Sequence, residues 1–371
     1  MSSPQSAAGV LAQSVSVVVK IGSSLLVDDT GLRDVWLASL AEDIAAWVSR
    51  GTRVTVVSSG AVALGRVGNI APSDIPEKQA CASVGQVHLS RAWQKAFESV
   101  GVSIGQVLLT PADTEHRRRH LNARATLAAL HTRGCIAVIN ENDTVATEEL
   151  RYGDNDQLAA RVAQMIDADC LLLLSDVPGL LSAPPKSTRP ATLIPWIETI
   201  TEKTLELAGE SGSDVGTGGM RSKLIAAQRA TRAGATVIIG NGKPNHALAA
   251  LAAGADATVC ASKSQPGRAR RRWIAGMVGR DAVVQVDSGA VAALRNGRSL
   301  LAVGVASVTG DFELGDCLSI EDADHKEVAV GLAGLSSVEV AAQRVSKSGT
   351  QRRRPLIHRD DLVVHDGDHN S

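Results

Sequence analysis

At 371 residues with a formal net charge of −1, the chain is long enough for two domains and lacks the basic excess of a dedicated nucleic-acid binder. Hydrophobic residues make up 44% and charged residues 21%, as in an ordinary globular protein. Aromatics are only 2%, so the core must be built from Ala, Val, Leu and Ile, and base stacking is disfavoured as a mode of binding. The five cysteines, Cys81, Cys135, Cys170, Cys260 and Cys317, form no Cys-x-x-Cys pair and read as buried free thiols in a reducing compartment. Residues 1–16 contain no Lys or Arg, and no apolar run approaches the roughly 18–20 residues that span a bilayer. A cytoplasmic protein is expected.

After an N-terminus expected to be disordered over residues 1–14, residues 15–19 form a β-branched run that stops at Lys20-Ile21-Gly22-Ser23-Ser24. Residues 34–50 predict a helix, with Leu37, Leu40, Ile44, Trp47 and Val48 on one face and Gly51 as its stop. A second strand over 53–57 ends in Ser58-Ser59-Gly60-Ala61. Strand, helix, strand with near-continuous Val runs signals a buried parallel sheet. The alternation continues with strands over 101–110, 135–139, 169–174 and 236–239, and helices over 122–132, 156–166, 220–233 and 246–253. The Pro-rich stretch 176–203 reads as an excursion from the sheet, a lid or hairpin. Beyond Ala261 a polar and then basic stretch, 262–272, reads as a linker, and short β-like runs after it predict a small β-rich domain.

In a doubly wound sheet, ligands collect beyond the carboxyl ends of the strands. Polar clusters fall at four such ends: Lys20 to Ser24, Ser58 to Ala61, Asn140-Glu141-Asn142-Asp143, and Ser175-Asp176. Any one of these serves equally as a turn or cap; four at one edge argue for a site. Gly153-Asp154-Asn155-Asp156 opens a helix, where a single cap accounts for one of its polar residues but not for three. The loop Gly216-Thr217-Gly218-Gly219-Met220-Arg221-Ser222-Lys223 opens another. Its glycines free backbone N–H groups at a helix start, and its lysine adds charge, which suits phosphate. It lacks the Gly-Lys-Ser/Thr ending of a Walker loop. No histidine or cysteine belongs to these clusters, which fits phosphoryl transfer to an acceptor that is already ionised, such as a carboxylate. His358-Arg359-Asp360 imitates a protein-kinase catalytic loop, but only 11 residues follow it.

Carried by Val-Val-Lys-Ile-Gly-Ser-Ser (18–24), Ser-Ser-Gly-Ala (58–61), Ala-Ser-Val-Gly-Gln (82–86), Leu-Asn-Ala-Arg (121–124), Val-Ile-Asn-Glu-Asn-Asp (138–143), Gly-Asp-Asn-Asp (153–156) and Gly-Thr-Gly-Gly-Met (216–220), the sequence resembles the glutamate 5-kinases of the amino acid kinase family, followed by a PUA domain. The resemblance implies a three-layer α/β/α sandwich with a mainly parallel sheet over 15–261, a linker over 262–272 and a β-rich PUA domain over 273–366. It implies ATP-dependent phosphorylation of the γ-carboxylate of L-glutamate, with Mg²⁺ carried mainly by the ATP phosphates.

By the same resemblance, Lys20 and Lys223 contact the phosphates, Asp154 orients the two lysines and Asp156 assists substrate binding. Ser59, Asp143 and Asn155 bind glutamate. Ser175, Asp176, Thr217, Gly218, Gly219, Met220, Arg221, Ser222 and Lys223 hold ATP. Ser58 and Ser175 stand where the family usually has threonine, and both keep a hydroxyl. The resemblance further implies the first step of proline synthesis, feedback inhibition by proline, a homo-oligomer and a glutamyl phosphate reductase partner. The alternatives are a sister kinase acting on aspartate, acetylglutamate or a nucleotide, or an RNA-binding PUA protein.

Overall fold

The computed structural model describes residues 5–29, 31–66, 72–145, 155–183, 191–209, 219–262, 274, 282–345 and 354–365. The chain divides into two units, one comprising Met1–Glu115 and Ala123–Pro266, the other His116–Asn122 and Gly267–Ser371. The second unit also takes in His116–Asn122, and the expected linker over 262–272 lies almost wholly outside the described residues.

The first unit is built on strands whose side chains are apolar on both faces, which requires cover on both sides. Its strands are β1 (Ser16–Ile21), β2 (Arg53–Ser58), β3 (Ile104–Leu109), β4 (Ile136–Glu141), β5 (Cys170–Ser175), β6 (Trp196–Ile197), β7 (Thr236–Asn241) and β8 (Ala257–Cys260). Among the described residues they form one sheet in the order β3-β4-β2-β1-β5-β7-β8-β6. From β3 to β7 every neighbouring pair is parallel, so the carboxyl ends of these strands lie along one edge. Only the pair β7–β8 is antiparallel among the pairings recorded in this sheet. The stretch expected to leave the sheet returns to it, because Trp196–Ile197 pairs with β8.

Successive strand residues face opposite sides, and the two faces collect different helices. Val17, Val19 and Ile21 of β1, Val54 and Val56 of β2, and Ile136 and Val138 of β4 share a core with α2 (Asp34–Ser49) and α3 (Ile75–Glu98). Val18, Val57, Ala137 and Ile139 turn the other way, onto α4 (Arg117–Thr132), α5 (Asn155–Met165) and α6 (Met220–Ala233). This is the three-layer arrangement that the resemblance implied. The helix α3 was not anticipated, although Ala82, Leu89, Trp93 and Phe97 recur at helical spacing and are buried. Trp93 and Phe97 stack with ring centroids 5.7 Å apart.

The expectation of disorder over 1–14 does not hold for its second half. Ala7–Gln13 is a helix, α1 in chain position, with the Ser6 side chain accepting from the Gly9 N–H at 3.2 Å. Ala7 and Val10 are buried in the core on the α2 side of the sheet, and that burial together with the cap fixes the turn. Helix α4 begins at Arg117, earlier than its apolar pattern suggested.

The second unit has strands β9 (Ala282–Val286), β10 (Val305–Thr309), β11 (Cys317–Glu321), β12 (Glu327–Leu332) and β13 (Leu362–Val364), ordered β10-β9-β11-β12-β13. Only β9 and β11 run parallel; the other recorded pairs are antiparallel. Two helices not read from the sequence, Ser288–Arg295 and Ser337–Val345, accompany this sheet.

Candidate active site

Strand parity decides where each polar end residue points. Lys20 has the parity of Val18, so it rises on the face covered by α5 and α6, and it is 4% exposed. There the Asp156 carboxylate meets it: Lys20 Nζ lies 2.6 Å from Oδ1, and Lys223 Nζ lies 3.1 Å from Oδ2. Asp156 is 0% exposed, in the first turn of α5, and Lys223, in the first turn of α6, is 6% exposed. Burying ions costs free energy unless they are paired. One carboxylate spanning two ammonium groups therefore fixes both lysine tips at the sheet edge. A Cβ on Gly22 would lie 3.7 Å from Lys20 Nζ, so the lysine folds back over a position with no side chain. The role of orienting the lysines was expected of Asp154; that residue lies outside the described residues, and the carboxylate found between the two lysines belongs to Asp156.

The residue before Asp156 reaches the neighbouring strands. Asn155 Nδ2 lies 2.7 Å from Ser59 Oγ, 2.9 Å from Asn140 Oδ1 and 3.0 Å from the Ser58 carbonyl oxygen. The two opening residues of α5 thus join two clusters: Asp156 holds the lysines and Asn155 holds the ends of β2 and β4. Gly60, at φ 112°, adopts a left-handed turn that returns the chain into the one-turn helix Ala61–Leu64. Asp143 follows β4 by two residues and lines a cavity of about 520 Å³ with Gln86, Ser90, Gln106 and Asn142.

Of the expected nucleotide residues, Ser175 ends β5 and its hydroxyl donates to the Asp176 carboxylate at 3.3 Å. Gly219 is the extended N-cap of α6 (φ −66°, ψ 174°) and offers no side chain to the first helical amides. Met220 is half-buried, Arg221 is exposed, and the Ser222 carbonyl accepts from Gln157 Nε2 at 3.3 Å, which ties α6 to α5. A 14-residue helix with a glycine N-cap beside two buried ammonium groups suits a triphosphate. Thr217 and Gly218 lie outside the described residues.

Two contributors, Trp93 and Gln86 of α3, were given no role by the sequence reading. Ser58 and Asn140 have the opposite parity from Lys20 and face α3. Trp93 Nε1 donates to Ser58 Oγ at 2.9 Å, and Asn140 Nδ2 donates to Gln86 Oε1 at 2.9 Å. The available signal was Gln86 itself, a polar residue at an apolar spacing between Ala82, Leu89 and Trp93. Burial pushes the Cys260 thiol up to about 12 and raises Cys170 as well, so neither of these two ionises near neutral pH.

The sequence profile of the Amino acid kinase family matches residues 16–241, and that of the PUA domain matches residues 282–348. Over 359 residues the chain is 48% identical to a protein named glutamate 5-kinase 1 from Rhizobium meliloti (strain 1021), covering 94% of this chain and 91% of that one. It is 47% identical over 365 residues to a glutamate 5-kinase from Paramagnetospirillum magneticum, covering 95% and 99%. A buried two-lysine cluster at the carboxyl edge of a parallel sheet, and the family match across the strands that build it, lead to one statement: this chain belongs to the amino acid kinase family and carries a PUA domain after its kinase region.

Proposed function

We propose that this chain transfers the γ-phosphoryl group of ATP to the γ-carboxylate of L-glutamate, giving L-glutamyl 5-phosphate and ADP. The observation that carries the reading is the pair Asn155–Asp156, whose side chains join a polar pocket at Ser59 to the two buried lysines. The similarity to proteins named glutamate 5-kinase over nearly their whole length supports the choice of acceptor.

In this reading Ser59, Asn155 and Asp143 hold glutamate, and a carboxylate such as Asp143 suits the substrate ammonium. The amides opening α6 at Gly219 and Met220, together with Ser175 and Asp176, hold the nucleotide. A glutamate side chain is already ionised at neutral pH, so its attack needs no general base. One carboxylate oxygen forms a bond to the γ-phosphorus as the bond from that phosphorus to the ADP oxygen breaks. Carboxylate and triphosphate repel each other, and Lys20 and Lys223 offset that repulsion while fixing the line of approach. Mg²⁺ bound to the triphosphate supplies further neutralising charge. Asp156 holds the two lysines in place throughout.

The proposal extends to the kinase domain over 15–261 and the PUA domain over 273–366. It also takes in a cytoplasmic homo-oligomer in the first step of proline synthesis, inhibition by proline, and transfer of the short-lived acyl phosphate to a glutamyl phosphate reductase. No described helix is long and apolar enough to cross a membrane. The test is ADP release from ATP and Mg²⁺ with L-glutamate, L-aspartate, N-acetyl-L-glutamate and UMP as acceptors, with and without proline. Release that depends on glutamate is expected; a preference for any other acceptor refutes the substrate.

A further inference from the structure

Helix α3 does more than cover the sheet: two of its polar groups hold the ends of the strands that carry the candidate glutamate pocket. Its backbone lies against the pocket loop, since a Cβ on Gly85 would sit 1.8 Å from the Ala61 carbonyl oxygen and one on Gly65 would sit 1.8 Å from that of Cys81. At this closeness Gln86 reaches the sheet edge.

The hydrogen bonds that leave Asn140 run in one fixed direction. The Glu141 backbone N–H donates to Asn140 Oδ1 at 2.9 Å. A backbone N–H cannot accept, so this bond sets which end of the Asn140 amide is oxygen. That oxygen also receives Asn155 Nδ2 at 2.9 Å, and Asn140 Nδ2 is left facing Gln86 Oε1 at 2.9 Å. Gln86 Nε2 then faces Ser90 Oγ at 3.4 Å, and the Ser90 hydroxyl donates to Gln106 Oε1 on the edge strand β3. Asn140 is 4% exposed, so without Gln86 its amide donor would be buried and unsatisfied.

We infer that Gln86 is a positioning residue for the glutamate pocket: it fixes the Asn140 amide, which in turn fixes Asn155 beside Ser59. The inference rests on the substrate reading above and deepens it. Ser90 and Gln106 orient Gln86 from outside. Gln86 is half-buried and shares the wall of the 520 Å³ cavity with Asp143, so replacing it opens no hole in the apolar core.

The experiment measures both KM values, kcat and the melting temperature of Gln86→Met, which keeps the side-chain length and removes both hydrogen bonds. A rise of about tenfold in glutamate KM is expected, with ATP KM within about twofold and melting within about 3 °C of wild type. Equal rises in both KM values, or none, overturn the inference. Adding Gln86→Met to Asn140→Ala should raise glutamate KM by less than about twofold beyond Asn140→Ala alone, because the two act through one bond; a further tenfold rise overturns it. Should Gln86→Met fail to fold, Ser90→Ala cuts the same chain one link farther out. It should raise glutamate KM about two- to threefold with ATP KM unchanged, and no rise overturns the inference. If the wild type proves to use another acceptor, the substrate reading fails separately, and the same ratios are then read on the KM of that acceptor.

Discussion

The eight-stranded and five-stranded sheets bury their polar groups in opposite ways. In the first unit the carboxyl edge encloses Lys20, Ser58, Asn140, Glu141, Asp156, Ser175 and Lys223, each less than a tenth exposed. In the second unit, among the described residues, Ser319 is the only side chain of this kind in the sheet, and it is answered by Glu327 Oε2 at 2.5 Å. Its core is otherwise apolar, from Val284 and Val286 through Leu318 and Ile320 to Leu356 and Ile357. A fold of this size does not need buried ions, and hydrophobic residues of the same volume serve stability as well or better. The three buried charges joined at the carboxyl edge of the first sheet therefore mark chemistry, whereas the described core of the second sheet is almost wholly apolar.

The largest effect that could break this contrast lies at Lys223. Lys223→Met should lower turnover by about 10²–10³, the usual consequence of losing one transition-state donor. It should lower the melting temperature little, since a methionine fills the same space. A large loss of stability with turnover intact would reverse the contrast.

Next comes Gly85→Ala, which forces a methyl group toward the Ala61 carbonyl. A loss of about 3 kcal/mol in denaturant unfolding is expected, accompanied by a raised glutamate KM because the pocket loop must shift. Retained stability would mean that α3 and that loop separate at little cost.

Ser319→Ala in the second unit should cost about 1 kcal/mol or less and leave turnover unchanged. A fall in turnover would show that the second sheet takes part in the chemistry.

The smallest effect concerns pH. His131 lies 3.0 Å from Thr55 Oγ1, and burial, followed by the charge of Arg53, holds its imidazole below the usual 6.5. The folded value lies below the unfolded one, so the neutral ring contributes stability that is present above the unfolded value. That stability is lost as pH falls through the folded one. Melting of the wild type should therefore drop more between about pH 7.5 and pH 5 than melting of His131→Gln; equal drops would remove the assignment.

Much of the site was legible because local rules suffice for it. Glycine and serine at the ends of Val-rich runs gave the strand termini, and Met220 to Ala233 gave α6 to the residue. What was missed depended on parity and approach. Reading Lys20 as a phosphate lysine needs only its place near the carboxyl end of a strand, whereas seeing that it faces α5 while Ser58 and Asn140 face α3 requires knowing which helices cover which face. Helix α3 was not read at all, and Gly85 within it is in the fold a place where two backbones touch. The segment Ala7–Gln13 read as disorder because its few apolar residues find partners only in the assembled core.

The sequence by itself determined the alternation of strands and helices, the polar character of the strand ends and the glycine-opened helix, since these follow from side-chain period, turn chemistry and backbone freedom within a few residues. Tertiary structure alone decided that Asp156 is the carboxylate between Lys20 and Lys223, and that Gln86 and Trp93 hold the opposite face. Such bonds join residues far apart in the chain, and only a parallel sheet covered on both sides brings their tips within hydrogen-bonding reach.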